Sequence, residues 1–309
     1  MHVLGNATVA RQLFNGENPE GAMRVVIATP CGMGGVYQAG VLHALHERGV
    51  STRHIQLSVG LSAGSWNMTA FAAGQAMLLR DVYEHLAEVL LLQMMRGDFL
   101  GLLYLKRLLK GEVFSTVRLN ESEVRAAPHP IWVGVSDLSG ALRLPDVRTT
   151  HDIYDLCHAS SSIPVFGGTQ SVSGEWLVDP ACADPCPLRP VLASIARKKQ
   201  PIDVVVIAGR PEPERYRALE QWFGNYMTLA LMWSAWYSWP IISSALMIDE
   251  KMKRAFQMCK KERPRSPFRL CALVPDADEA LPFTFDVNPR RVRTVGEHGY
   301  VSAHRFADT

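Results

Sequence analysis

Val59-Gly60-Leu61-Ser62-Ala63-Gly64 reads as a strand that runs straight into a serine between two small residues and then into a helix. Gly60 and Gly64 carry no Cβ, so strand and helix can close on each other while Ser62 takes a strained backbone conformation that lifts its hydroxyl clear of the sheet edge. A nucleophile elbow is written this way, and a strand-elbow-helix unit belongs to an α/β sheet. Glycine and serine are common residues, so the neighbouring segments decide the reading.

Upstream, Met23-Arg24-Val25-Val26-Ile27-Ala28-Thr29 is a short, mostly apolar run of the kind that forms a buried parallel strand. Pro30-Cys31-Gly32-Met33-Gly34-Gly35 follows as a turn and opens a helix in which Val41, Leu42 and Leu45 recur at helical spacing before Gly49 ends it. At such a turn, unpaired N–H groups and the positive end of the helix dipole converge, which suits a phosphate or the oxyanion of an acyl-transfer intermediate. The dinucleotide fingerprint G-x-G-x-x-G fails, because counting from Gly32 puts Tyr37 at the last glycine and counting back from Gly35 puts Pro30 at the first. No Gly-Lys-Ser/Thr follows either. An oxyanion pocket is the favoured reading.

Ile131-Trp132-Val133-Gly134-Val135-Ser136, Ile202-Asp203-Val204-Val205-Val206-Ile207-Ala208 and Phe268-Arg269-Leu270-Cys271-Ala272-Leu273-Val274 read as further strands, with residues 289–309 as the terminal element. Their alternation with helical stretches predicts an α/β fold: a mainly parallel central sheet with helices on both faces.

Several ordered stretches resemble the patatin-like phospholipase family. Gly35-Val36-Tyr37-Gln38-Ala39-Gly40-Val41-Leu42 resembles the helix after that family's glycine-rich loop, and the Ser62 stretch resembles its elbow. Ala159-Ser160-Ser161-Ser162-Ile163-Pro164-Val165-Phe166 resembles the segment preceding the catalytic aspartate. Leu177-Val178-Asp179-Pro180-Ala181 falls where the family has Asp-Gly-Gly or Asp-Gly-Ala, and Pro185-Cys186-Pro187-Leu188 resembles what lies beyond. The resemblance covers about residues 23 to 210. It implies a three-layer fold and a serine-dependent lipid acyl hydrolase, a phospholipase A or lysophospholipase-like esterase. Ser62 would be the nucleophile, Asp179 its partner in a dyad, and Gly32, Met33, Gly34 and Gly35 the oxyanion loop. The substrate would be a lipid or fatty-acyl ester. No histidine is required, which fits the scatter of His43, His46, His151 and His158.

The chain departs from the family's pattern at two places. Pro30 and Cys31 replace the first two of three glycines and Gly34 replaces a basic residue, while Pro180 stands where a glycine normally follows the aspartate. Proline has no N–H and biases its predecessor toward extended geometry. These departures sustain an alternative: a catalytically weak or inactive lipid-binding relative at a membrane surface.

A net charge of +2 over 309 residues argues against general nucleic-acid binding. The six cysteines include only one close pair, Cys182 and Cys186, without a histidine or cysteine pair nearby, so neither a metal site nor a cofactor is expected. Reduced thiols point to the cytoplasm. Residues 1–20 carry no signal-like pattern and read as a loosely held arm, leaving 21–309 as one domain; oligomeric state is open.

Two apolar regions stand out. Leu90-Leu91-Leu92-Gln93-Met94-Met95 and Phe99-Leu100-Gly101-Leu102-Leu103-Tyr104-Leu105 read as helices packing on the sheet, with a lid as the second reading. Residues 226–248, within a Trp-rich helical segment at about 211–262, form a run of 23 without charge that includes Trp233, Trp236 and Trp239. Lys251, Lys253, Arg254, Lys260, Lys261, Arg263 and Arg265 follow. A core or lid helix ranks first, peripheral docking on an anionic membrane second and a span last, since serines and Pro240 interrupt the run.

Overall fold

Alternation along a single strand sets the layers. On the run Met23–Ala28, Val26 and Ala28 pack into one buried apolar cluster while Met23, Val25 and Ile27 pack into another, as successive side chains of a strand must. A sheet therefore separates two cores. The computed structural model describes residues 1–96, 118–163, 168–197, 200–212, 241, 243, 247–261, 266–276 and 286–309.

The strands are β1 (His2–Gly5), β2 (Met23–Ala28), β3 (Leu57–Leu61), β4 (Ile131–Asp137), β5 (Leu142–Arg143), β6 (Gln170–Val172), β7 (Glu175–Val178), β8 (Ile202–Ile207) and β9 (Phe268–Val274). Their order is β1-β9-β8-β2-β3-β4-β7-β6, with β5 paired to β4. The five central strands, β9 to β4, are parallel to their neighbours, and the antiparallel pairs lie at the two edges. Described helices are α1 (Ala7–Phe14), α2 (Gly35–Glu47), α3 (Ala63–Ala72), α4 (Leu79–Met95), α5 (Glu121–Ala126), α6 (Ile153–Ser160), α7 (Leu188–Ile195), α8 (Ile248–Lys260) and α9 (Pro289–Ala307). Residues of α1, α2, α3, α6 and α9 join the first core and those of α7 and α8 the second, so helices cover both faces.

The amino-terminal residues are not a loose arm. β1 adds to the sheet edge by pairing His2–Gly5 with Cys271–Val274, and α1 buries Val9, Ala10, Leu13 and Phe14. The sequence carries only two short signals for this helix: Asn6 as its cap, accepting from Val9 N–H, and an apolar stripe too brief to stand out. The terminal element expected at 289–309 is the helix α9, capped by the Asn288 side chain and started by Pro289.

α4 buries Val89 and Leu90 and leaves Leu92 and Met95 exposed, so only one side of the expected apolar helix packs. The stretch 99–105 and, within the Trp-rich segment at 211–262, residues 213–240, 242, 244–246 and 262 lie outside the described residues. At the end of that segment α8 presents Ala255, Phe256 and Cys259 to the core, while its cations turn to partners: Lys251 Nζ donates to Ala183 O at 2.5 Å, Arg254 pairs with Glu250 and Lys260 with Glu212. Among the described residues, no helix is long and apolar enough to cross a membrane. All six cysteines are free and buried.

Candidate active site

Three chain segments meet at the carboxyl ends of the parallel strands: the turn after β2, the elbow after β3 and the bend after β7, which runs antiparallel to β4 and so brings Asp179 back to the level of Ser62. The strand following β2 lies on one side of it and β8 on the other, so the direction of winding changes there. Crevices that accept ligands form outside the carboxyl ends of parallel strands at such switch points.

Ser62 caps α3 with φ 54° and ψ −124°. Among the described residues only one other non-glycine has positive φ, Ser173, which with Gly174 makes the two-residue turn between β6 and β7 where such geometry is required. Ser62 lies in no hairpin that would require it. Its strain is held by packing: a Cβ on Gly60 would lie 2.5 Å from Gly64 O, and one on Gly64 would lie 2.4 Å from Ala28 O. Strand and helix are therefore in backbone contact. The Ser62 N–H donates to Ser160 Oγ at 2.9 Å, and its carbonyl accepts from Ser65 N–H at 2.9 Å and Ser65 Oγ at 2.6 Å.

Asp179 leaves β7 with φ −52° and ψ 130°, an extended geometry that the following proline favours. Pro180 begins a short 3-10 turn, Pro180–Cys182, at the position where a missing N–H costs nothing. The substitution for the usual glycine is thus accommodated without a left-handed residue. Asp179 Oδ1 accepts from Ala181 N–H at 2.8 Å, whereas Oδ2 is buried and holds no well-formed hydrogen bond. Burial raises its pKa from 3.8 to about 6, against the opposing pull of the Ser62 hydroxyl, the Ala181 N–H and the Arg210 charge. The serine hydroxyl is therefore felt by the carboxylate without a closed short bond, as is common before substrate binds. No histidine is among the groups that set this pKa. His43 instead packs on Tyr300 and lies 3.2 Å from Glu47.

The turn after β2 divides the four expected oxyanion donors. Gly34 N–H donates to Cys31 O at 3.0 Å and Gly35 N–H to Gly32 O and Met33 O, so both amides close the 3-10 turn Gly32–Gly34. The amides of Gly34 and Gly35 are thus engaged within the turn, and both glycines are closely packed: a Cβ on Gly34 would sit 2.6 Å from Gly209 O, and one on Gly35 would sit 2.1 Å from the Tyr83 hydroxyl oxygen. Gly32, at φ 55°, and Met33 are left as the candidates for donation. Cys31 is buried beside them, and desolvation pushes its thiol up to about 12, so it stays neutral.

Residues with no pattern of their own brace this arrangement. Gln38 Nε2 donates to Thr29 O at 2.9 Å and Ile207 O at 2.8 Å, tying the ends of β2 and β8 to α2. Asn67 Nδ2 donates to Gly35 O and to Gln38 Oε1, and the Tyr83 hydroxyl donates to Asn67 Oδ1 at 3.1 Å. A buried network thus joins turn, elbow helix and α4. Nothing in one sequence separates Gln38 or Asn67 from surface amides. Arg210 was detectable, because it stands at the carboxyl end of a parallel strand beside the switch point. Among the described residues no group of three or more His, Cys, Asp or Glu is placed to hold a metal ion.

The chain is similar to the crystal structure of VipD from Legionella pneumophila, at 12% identity over 94% of this chain and 67% of that one, with a TM-score of 0.46. No curated protein gave a match. The family model described as Patatin-like phospholipase matches residues 31–192, more than half of the chain, from the turn after β2 through the elbow and the Asp179 bend. The chain belongs to the patatin-like phospholipase family.

Proposed function

We propose that the chain is a serine-dependent lipid acyl hydrolase in which Ser62 and Asp179 form the catalytic pair. The observation that carries this reading is a strained serine facing a buried carboxylate with an unpartnered oxygen and a raised pKa. Structural carboxylates are seldom left so, and perturbed groups of this kind gather where chemistry is done.

The Ser62 oxygen attacks the ester carbonyl carbon as its proton passes to Asp179, and the resulting oxyanion accepts from the amides of Gly32 and Met33. When the ester C–O bond breaks, the protonated carboxyl returns its proton to the departing alcohol. Water then attacks the acyl-serine by the same route, which releases the fatty acid and restores Ser62. A base with a pKa of about 6 is better matched to this task than an ordinary aspartate.

Labelling with a fluorophosphonate, compared between native protein and Ser62→Ala, tests the reading: label that is absent, or that persists without Ser62, removes it. The second reading, lipid binding without turnover, is favoured by the loss of Gly34 and Gly35 as donors. It predicts lipid binding with no release of fatty acid from phospholipid, lysolipid or glyceride. Peripheral docking on an anionic membrane would use Lys253 and Arg254 of α8, and flotation with anionic vesicles that survives reversal of both charges would exclude it. The six free thiols support a reducing, cytoplasmic setting.

A further inference from the structure

Resting on that reading, we infer that the serine run Ser160–Ser162 is the device that registers the nucleophile to its base, with Ser160 the positioning side chain. Each of the three serines reaches a different part of the site. Ser160 Oγ donates to Gly134 O of β4 at 2.6 Å and accepts the Ser62 N–H at 2.9 Å, so one buried hydroxyl joins the sheet to the nucleophile's own backbone. Ser161 Oγ accepts from Trp66 Nε1 on α3 at 3.0 Å. Ser162 O accepts the Asp179 N–H at 3.0 Å, while Ser162 Oγ donates to His158 O at 2.8 Å and holds the run to the end of α6.

The nucleophile and the carboxylate thus hang by their main-chain N–H groups from residues two apart in one segment. Neither is joined to the other through the parallel ladder, because β4 stands between β3 and β7. Sheet pairing fixes their separation along the strand order only loosely at the strand ends, where both residues have already left the ladder. The hydroxyl of Ser160 supplies what the ladder does not. It also gives a partner to an N–H that the strained conformation turns away from regular structure, and a buried donor left unpaired costs about 1–3 kcal/mol. Ser160 is wholly buried, so no water replaces its oxygen at the surface.

Ser160→Ala removes one oxygen from the core and leaves the volume otherwise intact. Displacement of a reacting group by about 1 Å can cost on the order of 10²-fold in rate. The expected result for Ser160→Ala is a kcat lowered about 10–100-fold with KM within about twofold, and an acid limb of the pH profile moved toward higher pH, since the Ser62 hydroxyl then does less to hold the Asp179 pKa down. A residue that merely supports the fold would not move that limb. Ser160→Cys, which keeps the size but forfeits the short bonds, is the second variant and should behave alike. Ser194→Ala, which loses one hydroxyl bond to Val191 O within α7 and touches neither Ser62 nor Asp179, should stay within about threefold of the native kcat. The fluorophosphonate labelling rate is followed in parallel. Native protein that fails to label through Ser62 defeats the hydrolase reading itself. Native protein that labels, with folded Ser160→Ala or Ser160→Cys within about threefold of its kcat and an unmoved acid limb, defeats the registering role alone.

Discussion

Asp179 and Asp203 are buried to the same depth, 2% and 1% exposed, toward opposite ends of the strands, yet their surroundings differ in kind. Asp203, near the start of β8, receives both of its oxygens' bonds from Arg269 on the neighbouring strand: Nε to Oδ1 at 2.6 Å and Nη2 to Oδ2 at 2.8 Å. Arg24 stands beside it in register on the other neighbour, β2. That carboxylate is a brace between three strands. Asp179 has one main-chain N–H, the serine hydroxyl and a more remote arginine, and one of its oxygens is left open. The same side chain at the same depth is locked when a guanidinium forks over it, and keeps an open oxygen and a raised pKa when none does.

Breaking the contrast at its functional end should give the largest effect. Asp179→Asn keeps the shape and removes the base, so hydrolysis of a fatty-acyl ester should fall by about 10³-fold or more, whereas Asp203→Asn should keep kcat within about threefold. Comparable activity in Asp179→Asn would mean that the carboxylate takes no proton.

At the structural end the order reverses. Asp203→Ala would leave Arg24 buried without its neighbouring carboxylate and Arg269 with only the exposed Glu20, and breaking a buried pair in this way costs about 3–5 kcal/mol in urea unfolding.

Asp179→Asn should move stability the other way. With a folded pKa of about 6 above the ordinary 3.8, the native state binds the proton more readily than the unfolded chain does. Stability therefore falls as pH rises through that window, and the penalty is complete above about 6. Removing the charge should raise stability at pH 7 by about 1–3 kcal/mol and flatten its dependence between pH 4 and 6. The same proton sharpens the comparison kinetically: kcat/KM should fall about tenfold per pH unit below about 6. A profile flat down to pH 4.5 would detach Asp179 from the chemistry.

The smallest effect should come from the outer ion pair of the brace. Glu20 contacts Arg269 at an exposed position, and Glu20→Ala should shift unfolding by no more than about 0.5 kcal/mol, less still at high salt.

Much of the fold was legible because it rests on local pattern. The apolar runs at Met23–Ala28, Ile131–Asp137, Ile202–Ile207 and Phe268–Val274 could be seen as strands, and the glycines around Ser62 as an elbow, since a close backbone approach tolerates no other residue. The edge strand His2–Gly5 was not legible, for four residues without alternation carry too little signal and their partner lies some 270 residues away.

At the site, the sequence by itself singled out the residues proposed to carry the chemistry: Ser62 by its elbow, Asp179 by its place after a strand, and a glycine turn at a helix start. Only the tertiary structure decided how they are used. Which glycine amides remain open depends on a turn closing upon itself, and whether an aspartate is a brace or a base depends on whether an arginine from another strand reaches it. Composition and spacing encode the short-range steric demands of the backbone. Burial, hydrogen-bond partners and pKa belong to neighbours that meet only when distant segments pack.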